Sequence, residues 1–333
     1  MLLQLWRHLL YSFPELVKNC CAMSYKVEVV PGLEKVAKTV GEGPHWDDAS
    51  QTLMFVDIME GTIIWWDYKT GAIVNRYKTD EGPVTLVVPR RSGGYVISTG
   101  RKLNHLQEDR STVTPLTEEV DQGTQNRFND GKCDPKGRLW AGTMGHEPVP
   151  TQLELEMGSL YRLDLEGKLT KWVEKVSISN GLAWDLEKST MYYIDSIPKV
   201  VYAFDYDNNT GDISNRRTAI DYSKCLESGD PKELGVPDGM CIDTEGKLWV
   251  ACFFGARVIR FDPQTGKMLQ TIPIPAARVT SCCFGGPNMD ILYVTCSAFQ
   301  VDENEWKKYP LTGSVFQVTG LGVKGCTANV YEG

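Results

Sequence analysis

The chain has few histidines. Only His8, His45, His105 and His146 occur in 333 residues. A three-histidine catalytic zinc site would use nearly all of them, from scattered places. A bound metal would therefore rest on oxygen ligands, which suit hard cations such as Ca²⁺, Mg²⁺ or Mn²⁺. The chain also lacks any apolar stretch near the roughly 18 residues that span a bilayer, so no membrane partner is expected. It lacks a Lys/Arg block, and its net charge is −8, which argues against a nucleic-acid partner. Its ten cysteines include no Cys-x-x-Cys pair, which excludes zinc knuckles and thioredoxin-like chemistry. Most stand in apolar runs such as Gly239-Met-Cys-Ile and Val250-Ala-Cys-Phe-Phe. They read as free buried thiols in a reducing compartment, and the expected location is the cytoplasm. Helical periodicity is missing too, apart from a weak trace at Asp221 to Leu226.

What is present is a strand-and-turn composition: 31 Gly, 17 Pro, 14 Tyr, 10 Phe and 9 Trp. Short apolar runs come in pairs. Leu53-Met-Phe-Val-Asp is followed by Thr62-Ile-Ile-Trp-Trp-Asp, and Arg138-Leu-Trp-Ala-Gly by Ser159-Leu-Tyr-Arg-Leu-Asp. Thr190-Met-Tyr-Tyr-Ile-Asp precedes Val200-Val-Tyr-Ala-Phe-Asp, and Lys247-Leu-Trp-Val-Ala precedes Arg257-Val-Ile-Arg-Phe-Asp. A further pair starts at Asp290 and a weaker one at Gly94. Six copies at a period of roughly 45 residues match propeller blades. One blade cannot bury both faces of its small sheet, whereas six around an axis bury each face on a neighbour. The predicted fold is an all-β, six-bladed β-propeller over residues 24–333. Asp67 to Gly71, Asp205 to Gly211 and Asp262 to Gly266 read as hairpin turns between outer strands. Trp-Asp pairs lack the Gly-His partner of WD40 repeats. Residues 1–23 begin like a secretory signal, but Arg7, His8, Pro14, Glu15 and Lys18 break its apolar core. They are expected to form a poorly ordered extension, with Met23 a candidate start.

Aligning the repeats brings out a shared register. Asp47, Asp134, Asp185 and Asp243 are turn residues just before a strand pair. Five residues before each stand Glu42, Asn129, Asn180 and Asp238, all with side-chain oxygens and all close to glycine. The strand entering a blade is the innermost, so equivalent positions converge on the axis. Four oxygen donors at one mouth make a hard-cation site. The sixth copy offers Thr280 at this register, and the second offers Val84, which cannot ligate. Any single Asn-Gly or Asp-Gly is more often a turn, but Glu42 is a poor turn former and the repetition favours a site.

Other motifs fail on context. Gly320-Leu-Gly-Val-Lys-Gly325 matches a dinucleotide-binding pattern, yet too little chain follows for a βαβ unit. Asp205 to Gly211 resembles an EF-hand loop, but Thr210 and Arg216 occupy its glycine and final glutamate positions. His146-Glu147 lacks a second zincin histidine. There is no Gly-x-Ser-x-Gly elbow and no Walker loop.

Several segments together resemble one family. They are Gly41-Glu-Gly-Pro-His-Trp46, Asn126-Arg-Phe-Asn-Asp-Gly-Lys-Cys-Asp134, Ser179-Asn-Gly-Leu-Ala-Trp184, Val236-Pro-Asp-Gly-Met-Cys-Ile-Asp243 and Thr280-Ser-Cys-Cys-Phe-Gly-Gly286. The chain from about Ser24 onward is similar to the regucalcin family, with its gluconolactonases and luciferin-regenerating enzymes. The resemblance implies lactone hydrolysis with a single divalent cation in the channel (Ca²⁺, or Zn²⁺, Mn²⁺ or Mg²⁺). It implies Glu42, Asn180 and Asp238 as metal ligands and Arg127, Asn129 and Glu147 as substrate contacts. Asp238 is the best-placed general base for the attacking water. The expected partner is a small lactone, and the expected state is a monomer. Two alternatives stand beside this reading: a non-catalytic Ca²⁺-binding regulator, and a luciferin-regenerating-type hydrolase acting on another small substrate. A pure Ca²⁺ buffer has no need of the Arg127/Asn129 pair.

Overall fold

The computed structural model describes residues 24–147, 152–225 and 231–333. The expected extension over residues 1–23 lies outside the described residues. The strands form six four-stranded antiparallel sheets arranged as a β-propeller. The inner strands of blades one, three, four, five and six are Gly41–Asp47, Arg127–Cys133, Ser179–Asp185, Val236–Ile242 and Val279–Gly285. Blade two has a shorter inner strand, Val87–Pro89. Five blades take their strands in chain order. The sixth is completed from the start of the fold, where Lys26–Val29 pairs with Phe316–Thr319 and Val27 faces Val318. That closure leaves no gap between the first and last blades.

Burial between blades explains the composition. Trp46, Trp140 and Trp249, each fully buried, sit on inner or second strands. Each large side chain removed from water contributes on the order of 2 kcal/mol. Trp46 of blade one stacks on Tyr293 of blade six, with centroids 5.7 Å apart and planes at 18°. An Asp-x-x-Gly turn holds the second-strand rings Trp140 and Trp249. Asp134 accepts from the Trp140 indole at 3.2 Å, and Asp243 accepts from Trp249 at 2.9 Å. These two buried indole N–H groups thus find their partners inside their own repeats.

The three hairpin turns fall between third and fourth strands as expected, each closed by the backbone N–H of its glycine on the carbonyl of its opening Asp or, at Gly211, of Asp207. The trace of helix near Asp221 is a 3₁₀ turn, Tyr222–Lys224. One short α-helix, Glu303–Lys308, was not foreseen, because six residues carry too little periodicity. Its signal is the cap: Asp302 accepts from the N–H groups of Asn304 and Glu305. Cys133, Cys241, Cys252, Cys282, Cys283 and Cys296 are buried free thiols.

Candidate metal and substrate site

Five inner strands carry the same irregularity. In blade one, Glu42 faces Val56 and His45 faces Met54, so three steps on one strand match two on its partner. The same extra residue lies between Phe128 and Gly131, Ser179 and Leu182, Pro237 and Met240, and Val279 and Ser281. A β-bulge of this kind turns a side chain out of the strand's alternation and re-aims it. It falls on the oxygen register each time. Blade two has no bulge, and its Val84 is buried in an apolar cluster.

Glycine makes the convergence sterically possible. Gly43 holds φ at +57°, a conformation most side chains resist. Gly181 lies so close to blade five that an added Cβ would stand 2.7 Å from the Met240 nitrogen and 2.9 Å from the Asp238 carbonyl oxygen. In blade three the equivalent position is Asp130 rather than glycine.

Hydrogen bonds link the predicted residues into a chain. Arg127 Nη1 donates to Asn129 Oδ1 at 2.8 Å and to the Phe128 carbonyl at 2.9 Å. Asn129 Nδ2 donates to the Ser179 carbonyl at 2.8 Å and reaches Asn180 Oδ1 at 3.4 Å. Asn180 Nδ2 donates to Ser196 Oγ at 2.9 Å, and its amide also hydrogen-bonds Asp238. Glu42 accepts from the Gly43 N–H and hydrogen-bonds Ser281.

Electrostatics tie the same groups together. Burial, then the charge of Asp130, pushes the Glu42 carboxyl up to about 8. Burial, then Glu42 and Asp130, holds Asp238 well above the usual carboxylate range. Burial also raises Asp130, opposed by Lys132. Arg127 is drawn down to about 10 by burial, against the pull of Glu147 and Glu42. Glu147 is exposed at the edge of this group.

Two residues of this cluster escaped the sequence reading. Asp130 was passed over because the other repeats put glycine at its position, and Asn-Asp-Gly looks like a turn. Ser281 was missed by one place. Thr280, taken from the register, turns away to donate to the Gly41 carbonyl at 2.6 Å and to meet Thr295 Oγ1 at 2.9 Å. The bulge between Val279 and Ser281 leaves Thr280 as the unpaired residue, so Ser281 faces Glu42 instead.

The charge of Asp130 raises Glu42, and Glu42 and Asp130 together raise Asp238, so these carboxylates need a positive counter-charge to ionise together. Among the described residues no three His, Cys, Asp or Glu side chains form a metal-holding group, so the donor set is mixed. Carboxylate and amide oxygens fit a hard divalent cation.

The rim of this mouth is partly apolar. Gly41 pairs with Asp57, Ser179 with Asp195 and Val236 with Phe253. The turns after those partner residues therefore flank the oxygen register, and they expose Met59, Ile197 and Phe254.

Comparison with known proteins extends these observations. The model of the SMP-30/Gluconolactonase/LRE-like region matches residues 40–298. The chain is 48% identical to regucalcin of Oryctolagus cuniculus over 294 residues, covering 88% of this chain and 95% of that protein. It is 43% identical to regucalcin of Xenopus laevis over 312 residues, covering 93% and 99%. Among solved structures, a luciferin-regenerating enzyme superposes with a TM-score of 0.83 at 38% identity, covering 93% of this chain and 100% of that one. A calcium-binding protein, regucalcin from Agrobacterium tumefaciens, gives 0.81 at 25% identity, covering 92% and 98%.

Proposed function

The chain belongs to the SMP-30/gluconolactonase/LRE-like family, and from that premise we propose that it hydrolyses a small lactone with the help of one divalent cation. The observation that carries the proposal is the bulged inner-strand register, which brings Glu42, Asn180 and Asp238 together beside the Arg127/Asn129 pair. Glu42, Asn180 and Asp238 would hold the cation. A bound divalent cation supplies Lewis-acid polarisation of the ester carbonyl. Arg127 and Asn129 orient the ring oxygens of the substrate by hydrogen bonding, and Glu147 adds a contact at the edge. Asp238 takes the proton of the attacking water. A carboxylate held on a cation loses basicity, but burial and the charges of Glu42 and Asp130 act in the opposite direction on Asp238.

The regulatory reading, a Ca²⁺-binding protein without catalysis, leaves Arg127 without a purpose. Its guanidinium is half-buried and tied to Asn129 within the same cluster. The exposed Met59, Ile197 and Phe254 favour a substrate with an apolar part, as a luciferin-regenerating-type hydrolase would take. The test is a panel of aldonolactones and alkyl-substituted lactones. Each is assayed after chelation and again with Ca²⁺, Mg²⁺, Mn²⁺ or Zn²⁺ restored. Cation-dependent opening of at least one lactone is expected. Cation binding without turnover of any lactone would favour the regulator.

A further inference from the structure

The bulges have a second effect. One extra residue restores the facing of a strand, so positions three apart across a bulge point the same way. Three residues beyond Glu42, Asn129, Asn180 and Asp238 stand His45, Lys132, Ala183 and Cys241, and in blade six Cys283 stands two beyond Ser281, below the bulge. All five line one cavity of about 340 Å³ at the channel end away from the oxygen register. Lys132 marks the boundary between the two ends. Its Nζ donates to the Met240 carbonyl at 2.7 Å, across the channel from its own blade.

The C-terminal segment roofs this cavity. Thr244 N–H donates to the Lys324 carbonyl at 2.9 Å, and Cys326 N–H donates to the Ile242 carbonyl at 3.4 Å. Further on, Asn329 Nδ2 donates to the Cys133 carbonyl at 3.3 Å, and Tyr331 N–H donates to the Pro89 carbonyl at 2.9 Å. The strap thus runs from blade five past blade three to blade two. Thr327 and Ala328, between its anchors, line the cavity.

Two polar atoms of the lining have no hydrogen-bond partner: His45 Nε2 and Trp184 Nε1. His45 is 6% exposed and Trp184 8%. Leaving such groups buried and unpaired is unfavourable. A hydroxyl or carbonyl on a bound molecule would satisfy them. The charges nearby are already engaged. Asp185 meets Lys188 at 2.7 Å, and Asp243 meets Arg260 at 2.7 Å. Exposed Glu187 at the rim disfavours an anion. The walls between are aromatic, aliphatic and thiol groups, including Leu182, Phe284 and Cys241, which suit a flat apolar body.

We propose that this end of the channel is a second small-molecule site, separate from the lactone site, for an uncharged molecule of one or two flat rings bearing a hydroxyl or carbonyl group. The experiment titrates the full-length protein with 1-naphthol by calorimetry, with Ca²⁺ present and again after chelation. Saturable one-to-one binding is expected, changing less than about threefold between the two conditions and not displaced by gluconolactone. His45→Phe, which removes the unpaired nitrogen, and Ala328→Trp, which fills the cavity from the strap, should each weaken binding at least tenfold. Ala328 is half-exposed on the strap, so that variant carries the test if His45→Phe does not fold. Absence of saturation, displacement by gluconolactone, or unchanged binding in Ala328→Trp would overturn the proposal. Failure here leaves the lactone reading intact, because that reading is tested by turnover.

Discussion

Gly181→Ala places a methyl group between two of the proposed cation-holding strands. Its Cβ would lie 2.7 Å from the Met240 nitrogen and from Met240 Cγ, and 2.9 Å from the Asp238 carbonyl oxygen. Met240 Cγ can swing aside, but the nitrogen and the carbonyl are backbone. Ordinary contact begins near 3.4 Å. The strand carrying Asp238 must therefore retreat by roughly half an ångström from the strand carrying Asn180. Metal–ligand distances tolerate about 0.2 Å. The displacement is more than twice that, so cation affinity should fall by about 10–100-fold, the range seen when ligand support is lost. Overpacking of this kind also costs about 1–3 kcal/mol of stability. Calorimetric titration with Ca²⁺ and thermal melting of the chelated protein measure the two effects separately. Native affinity in a folded Gly181→Ala protein would refute the claim that close approach of blades four and five sets the site.

Three further outcomes are expected. Asp238→Ala should abolish both cation binding and lactone hydrolysis, whereas Arg127→Ala should keep cation affinity within a few-fold while raising KM or lowering kcat; loss of the cation in Arg127→Ala would make that residue structural. Burial pushes His45 down to about 4 from 6.5, with Asp47 opposing and Lys132 assisting, so its stability contribution is present above pH 6.5 and lost as pH falls toward 4. The loss is about 3 kcal/mol, and His45→Phe should flatten the acid side of the melting profile relative to the parent; parallel profiles would contradict this. Truncation of the chain to begin at Met23 should leave the melting temperature nearly unchanged, and a loss of several degrees would show that the first residues support the fold.

The fold was legible because blade packing demands paired apolar strands, and those pairs repeat visibly in the sequence. The outer strand Lys26–Val29 was not, since its partner Phe316–Thr319 lies at the far end of the chain. A period search sees neighbours, not closure. The site was legible as a register but not as a cluster. Counting back from the turn aspartates picked out Glu42, Asn129, Asn180 and Asp238, which the structure brings together, yet it offered Thr280 where Ser281 faces Glu42 and passed over Asp130. The bulge is the reason. One extra residue decides which of two neighbours faces the axis, and nothing in Val279-Thr-Ser-Cys states where the extra residue sits. Glycine beside the donor marks it in blades one, four and five. Blade three replaces that glycine with Asp130, and blade six with Ser281.

The bulges also account for the uneven chemistry along the channel. A regular inner strand would send every second residue to the axis, and a donor at one mouth would fix the facing of every position below it. With one residue inserted, the lower positions are freed from that parity. Oxygen donors gather above, where burial and Asp130 raise Glu42, and burial, Glu42 and Asp130 raise Asp238, a field that a bound cation would offset. Below, the ring formed by His45, Ala183, Cys241 and Cys283 is neutral and soft. Lys132 stands between them, close enough to lower the Glu42 and Asp130 carboxyls and the His45 imidazole alike. Its ammonium is held on the Met240 carbonyl. One repeated irregularity in the inner strands thus permits a charged mouth and an uncharged one in the same channel.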